Sequence, residues 1–169
     1  MSSALTLREQ DMLAETLQRE HTPFHGRDRL AEAVVTSAFV AVAIALLVAA
    51  PPGAFDLLPA CACIAVLALA TRVPFHVASG FTVPTQLAFV PLLFTVPPAL
   101  VPPAVVAALA LGRLPQVITG RTRASRLLHC VGNSWFAIGP ATVFVVAGTS
   151  PADAGAGLLA LALAAQFAG

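Results

Sequence analysis

From Ala33 to Ala50 the chain runs 18 residues without a charged side chain, and this run constrains the fold more than any other feature. A stretch of that length and character can carry an α-helix across the hydrocarbon core of a bilayer, which takes roughly 20 residues. It is not isolated. The 137 residues from Ala33 onward hold seven charged side chains, five Arg and two Asp, while the first 32 residues hold ten. Across the 169 residues 58% are hydrophobic and 10% charged, and mean hydropathy is +0.87, whereas soluble domains carry roughly 25% charge. So few charges cannot cover a water-soluble fold of this size. The same composition excludes a disordered chain, and a net charge of +1 excludes a strongly basic nucleic-acid binder. The expectation is an all-α polytopic membrane bundle of five to six transmembrane helices, with the lipid bilayer as partner and no nucleic acid.

The chain divides at about residue 30. Residues 1–29 are polar and of mixed charge, too long and too mixed for the basic start of a signal peptide. Thr6-Leu7-Arg8-Glu9 reads as a capping box opening a helix to about Glu20, with Pro23 and Gly26 breaking it. Residues 30–169 form the expected transmembrane domain. Its first helix spans Ala33–Ala50 and stops at Pro51-Pro52-Gly53; the second runs from about Phe55 to Thr71. Segments 81–96 and 99–111 are short for full spans and read as a proline-broken hairpin. A fifth helix covers Leu127–Ala147. A sixth starts near Gly155 and is still apolar at Gly169, as expected of a piece of a longer protein.

Arginine placement orients these helices. The N-terminal segment holds Arg8, Arg19, Arg27 and Arg29, the loop after the second helix Arg72, and the loop after the fourth Arg113, Arg121, Arg123 and Arg126. The intervening loops hold no Arg. Basic and non-basic loops alternate, which predicts a cytoplasmic N-terminus in a bacterial inner membrane.

Two polar places interrupt the apolar pattern. Six prolines fall between residues 84 and 103, and each interior proline removes a backbone hydrogen bond. Thr82, Thr85 and Gln86 lie beside Pro84. They either line a ligand pocket together with freed carbonyls or simply repair the proline defects. In the fifth helix, Gly132 and Gly139 stand one heptad apart as a small-residue packing face. Asn133 is expected to face the bundle interior, since lipid cannot satisfy its amide. Trp135 suits either an interfacial anchor or a ligand contact. The candidate ligand-binding set is therefore Thr82, Thr85, Gln86, Asn133 and Trp135.

Other chemistry is not signalled. His21 and His25 have a metal-pair spacing but straddle Pro23; His76 and His129 fall near the membrane edge without a supporting carboxylate or cysteine set. Cys61 and Cys63 do not share a helix face. No metal, no cofactor and no catalytic residue is expected, because no phosphate loop, HExxH or nucleophile pattern occurs.

The segments "FTVPTQLAFVPLLFTVPPALVPP", "LGRLPQVITGR" and "GNSWFAIGPA" resemble the N-terminal membrane region of actinobacterial cyclic-di-GMP signalling proteins, over roughly residues 30–169. Such proteins carry a diguanylate cyclase (GGDEF) or HD-type phosphodiesterase domain after the membrane region. The resemblance implies a sensory or regulatory input module for a cytoplasmic output domain whose motifs this chain lacks. It also fits a homodimer through the helices or the output domain, and a small apolar ligand. The rival expectations are a small-molecule-binding membrane subunit of a transporter, of the vitamin-uptake type, and a plain membrane anchor.

Overall fold

The computed structural model describes residues 26–72, 75–77, 80–82, 85–120 and 127–167. The N-terminal helix read from Thr6–Glu20, the histidines 21 and 25, and arginines 121, 123 and 126 lie outside the described residues. Seven helices are described: α1 Gly26–Ala49, α2 Leu57–Ala70, α3 Thr85–Thr95, α4 Val101–Ile118, α5 Leu128–Gly132, α6 Ile138–Ala147 and α7 Ala156–Gln166. Short 3-10 turns, Pro98–Leu100, Trp135–Ala137 and Pro151–Asp153, lead into α4, α6 and α7. One small addition to the helical reading lies between α2 and α3. Strands β1 (Phe75–Val77) and β2 (Gly80–Thr82) pair antiparallel, with Phe75 opposite Thr82 and Val77 opposite Gly80.

Three helical stretches are long and apolar enough to cross a membrane: Leu30–Ala49, Pro98–Ile118 and Leu128–Ala147. The others are shorter. At about 1.5 Å per residue, α2 with 14 residues and α3 and α7 with 11 each fall below a bilayer core of roughly 30 Å.

The helices are apolar on every side, so burial is not confined to one stripe. Phe89, Leu92, Leu67, Val101, Val105 and Phe144 are essentially inaccessible at the centre of α2, α3, α4 and α6. A second cluster joins α1 to α6 through Phe39, Ala43, Leu46, Ala99, Ile138 and Ala141. The outer faces are just as apolar: Leu58 is 85% exposed, Leu87 81%, Val146 81% and Val48 75%. Monomeric soluble proteins rarely show contiguous apolar surface on this scale.

The prolines explain most helix boundaries. Pro59 in α2 and Pro102 and Pro103 in α4 sit in first turns, where the missing N–H has no helical partner to lose. α3 starts at Thr85 rather than Phe81; Phe81 and Thr82 belong to β2 instead. Pro97 ends α3 and Pro98 opens the next turn, where the Leu100 N–H donates to the Pro97 carbonyl at 2.8 Å. The expected hairpin is not seen as a packed pair, because α3 and α4 each lie chiefly against α2 rather than on one another. Among the described residues, Pro91 and Pro115 are helix-interior. Pro115 cannot bond the Leu111 carbonyl, and Arg72 reaches across from α2 to the freed region, with Nη2 3.5 Å from Leu111 O and Nε 3.1 Å from Gly112 O.

The expected fifth helix is broken. Its first part ends at Gly132, and the Ser134 N–H donates to the Val131 carbonyl at 3.0 Å in 3-10 fashion. Pro140 cannot extend a helical bond back to Phe136, so the backbone tightens through Trp135–Ala137 before α6 resumes. The buried Ser134 hydroxyl donates to the Cys130 carbonyl at 2.7 Å and fills the gap.

Two glycines set the helix spacing. A Cβ on Gly112 would lie 2.1 Å from Thr71 Oγ1 and 2.9 Å from the Ala68 carbonyl oxygen, and one on Gly139 would lie 2.2 Å from the Ala165 carbonyl oxygen. These permit the close α2–α4 and α6–α7 approaches. Gly132 does not act this way; its nearest neighbour would be Val35 Cγ1 at 4.0 Å. The Gly132–Gly139 face is thus two separate features rather than one smooth stripe.

Candidate functional site, a polar seam between parallel helices

α1 and the α5–α6 stretch run side by side in the same direction. The pairings rise together along both: Glu32 with His129, Val35 with Gly132, and Phe39 with Trp135. Glu32 Oε1 lies 3.5 Å from His129 Nδ1, Gly132 faces Val35, and the Phe39 and Trp135 rings meet edge to face at a 5.8 Å centroid separation. Glu32, Thr36 and Phe39 recur at i, i+4 and i+7, one face of α1. His129, Gly132 and Trp135 recur every three residues opposite them.

This seam holds unused hydrogen-bonding capacity. Glu32 Oε1, Thr36 Oγ1 and Trp135 Nε1 are buried, and none has a hydrogen-bond partner among the described residues. Ordinarily a buried polar atom is paired, because leaving it unmet costs about 1–3 kcal/mol. Elsewhere among the described residues the hydroxyls find carbonyls. Ser37 bonds the Ala33 carbonyl, Thr71 that of Ala68, Thr95 that of Pro91 and Thr142 that of Ile138. Thr36, next to Ser37 on α1, makes no such bond. Unmet acceptors and donors along one α1 face and its partner give a site able to take a ligand that offers both.

A second polar contact joins distant elements. The Gln166 side chain, only 6% exposed on α7, donates through Nε2 to Gln86 Oε1 on α3. Arg113 on α4 lies close to the buried Cys130 of α5. Among the described residues no group of three or more His, Cys, Asp or Glu side chains gathers as a metal site.

The sequence-derived candidates separate into different places. Thr82 lies in β2, with its side chain outside the described set. Thr85 is half-buried at the first position of α3. Gln86 is exposed except for its bond to Gln166. Asn133 is exposed rather than turned into the bundle. It caps α5 with its backbone N–H on the His129 carbonyl. Trp135 is not an outward anchor; its ring packs inward on Phe39. The set thus falls into two places, Thr85 and Gln86 at the start of α3 and Asn133 and Trp135 around the end of α5, and of these Trp135 lines the seam. Glu32, Thr36, His129 and Gln166 were not read as site residues. The available signal for Glu32 and Thr36 was their i, i+4 spacing from the last acidic residue before the long apolar run; none marked His129 or Gln166. The chain matches no protein-family model, no curated protein and no solved structure.

Proposed function

We propose that this chain is a polytopic bacterial inner-membrane protein, N-terminus cytoplasmic, whose helix bundle acts as a sensory or regulatory input module. Apolar outer faces on every helix suit lipid as the surrounding solvent. The parallel course of α1 and α5–α6 supports the orientation: both enter from an arginine-rich segment, as the positive-inside rule demands. The short helices α2, α3 and α7 complete the five to six spans by sitting where the bilayer is thinned or tilted against them.

The Gln86–Gln166 hydrogen bond carries the input reading. It ties α3 to α7, 80 residues apart, inside a bundle whose core clusters are apolar. A single polar latch can be made or broken by a modest difference in ligand affinity between two states, and it bears on the last described helix. The receiver we propose is a cytoplasmic output domain of the cyclic-di-GMP class that the sequence resemblance implies. A transporter subunit is the second reading, favoured by the unmet polar atoms of the α1–α5 seam.

The test joins the chain at Gly169 to a diguanylate cyclase domain in the membrane of a host lacking its own cyclases. An input module predicts that Gln86→Leu and Gln166→Leu each change cyclic-di-GMP output severalfold at unchanged membrane level. Output identical in wild type and both variants would leave only an anchor.

A further inference from the structure

We propose that the α1–α5 seam is a binding site for a primary ammonium group, filled from the headgroup of an aminophospholipid in the cytoplasmic leaflet. This rests on the membrane reading above but not on the signalling one. The argument begins with depth. Glu32 is the third residue of the Leu30–Ala49 span and His129 the second of the Leu128–Ala147 span, so both stand where a span meets the headgroups. Thr36 lies one turn deeper, and Trp135 beside Phe39 deeper again. Seven residues from Glu32 to Phe39 rise about 10 Å. The interfacial layer on each side of a bilayer is about 5–8 Å thick, so the seam spans that layer and just enters the hydrocarbon.

The chemistry of the unmet atoms selects the ligand. Glu32 Oε1 is a buried acceptor and Thr36 Oγ1 an acceptor or donor; Trp135 Nε1 is a donor with no acceptor. A carboxylate at the outer end repels phosphate alone and attracts a cation. An ammonium with N–H groups satisfies Glu32 and Thr36 together, which a quaternary choline, having no N–H, cannot do. Going inward from the ammonium, a phospholipid presents phosphate and then ester carbonyl oxygens, all acceptors. Those are what the exposed Asn133 amide and the deeper Trp135 Nε1 require. A purely apolar ligand would leave all three buried atoms unmet. His129 Nδ1, 3.5 Å from Glu32 Oε1, makes no hydrogen bond to it and is more than half exposed, free to swing aside. Gly132 contributes no side chain to the middle of the seam, where Val35 Cγ1 faces it.

The protein carries its own probe, since Trp135 is the chain's one tryptophan and there is no tyrosine. The full chain is reconstituted into phosphatidylcholine vesicles, and insertion is verified by quenching of Trp135 with brominated acyl chains. Phosphatidylethanolamine is then titrated in, and in a parallel arm ethanolamine is added to pure phosphatidylcholine vesicles. The expected result is a saturable change in Trp135 emission with phosphatidylethanolamine and none with phosphatidylcholine. Glu32→Gln should move its midpoint about ten- to hundredfold, the size of a lost charge-assisted hydrogen bond, and Thr36→Val should shift it in the same direction. Ser37→Ala, whose hydroxyl bonds only its own helix, should respond as wild type and shows that substitution on α1 is not itself disruptive. A response to ethanolamine alone upholds the ammonium site and assigns its source to solution. No saturable response in either arm, or Glu32→Gln behaving as wild type, overturns the site while leaving the membrane reading intact. Absence of brominated-lipid quenching overturns the membrane reading and this site with it.

Discussion

Gly139→Ala tests whether the α6–α7 contact is set by backbone approach. The added Cβ would lie 2.2 Å from the Ala165 carbonyl oxygen, 2.6 Å from its carbonyl carbon and 3.2 Å from its Cβ. Non-bonded carbon contacts settle near 3.5–4.0 Å, so α7 must retreat by about 1 Å or more. The clashing atoms are mostly backbone, and no rotamer change relieves them. Overpacking of this kind costs about 1–3 kcal/mol, and alanine's helix preference over glycine returns up to about 1 kcal/mol. With the full return, the net loss should be up to about 2 kcal/mol. The retreat also carries off Gln166, the residue after Ala165, and with it the bond to Gln86. Gly132→Ala is the matched control, because its nearest contact is an ordinary 4.0 Å and only the helix-preference gain remains. Unfolding in mixed dodecyl-maltoside and dodecyl-sulfate micelles, followed by Trp135 fluorescence, should place Gly139→Ala below wild type and Gly132→Ala at or above it. Equal midpoints for the two variants would refute the close-approach argument.

Gly112→Ala should destabilise α4 against α2 in the same assay by about 1–3 kcal/mol. Thr71→Ala should recover only part of the loss, since the Ala68 carbonyl oxygen still stands 2.9 Å from the new Cβ. Arg72→Ala should cost about 1 kcal/mol by removing the donors to Leu111 and Gly112. The cost should shrink when Pro115→Ala restores a helical N–H to Leu111. A cycle of the two changes showing no coupling would remove the proposed role of Arg72 at the proline gap.

Much of the helical plan was legible because it follows from apolar run length and proline position. The Ala33–Ala50 run became α1, though the helix starts earlier, at Gly26, since Arg, Leu, Ala and Glu are good helix formers and Asp28 is favoured in a first turn. The Phe55–Thr71 run became α2, with Asp56 just outside it. What periodicity could not resolve was local geometry within an apolar run. Nothing in Leu127–Ala147 distinguishes a continuous helix from one pinched at Trp135–Ala137, because the pinch depends on Pro140 and the Ser134–Cys130 bond acting together. Asn133 was expected inward on the rule that lipid cannot satisfy an amide. That rule applies to the bilayer centre, and Asn133 lies one turn from the start of its span. Gln86 was singled out beside Pro84, but its partner is 80 residues away, a pairing that no single-sequence pattern encodes.

The polar atoms of this chain fall into two groups by what they do for the backbone. Most repair a defect within reach: serine and threonine hydroxyls return to carbonyls three or four residues back, and Arg72 fills a proline gap from the neighbouring helix. Such groups stabilise the fold and need no ligand. Glu32, Thr36 and Trp135 do not follow this pattern. Thr36 has the Glu32 carbonyl one turn behind it, as Ser37 has that of Ala33, yet only Ser37 makes the bond. Burying three unmet atoms at about 1–3 kcal/mol each would consume much of the 5–15 kcal/mol by which a domain is ordinarily stable. Replacing them with apolar residues of similar shape would remove that cost. A binding function accounts for keeping them, since the cost is then recovered on occupancy. A function confined to anchoring does not.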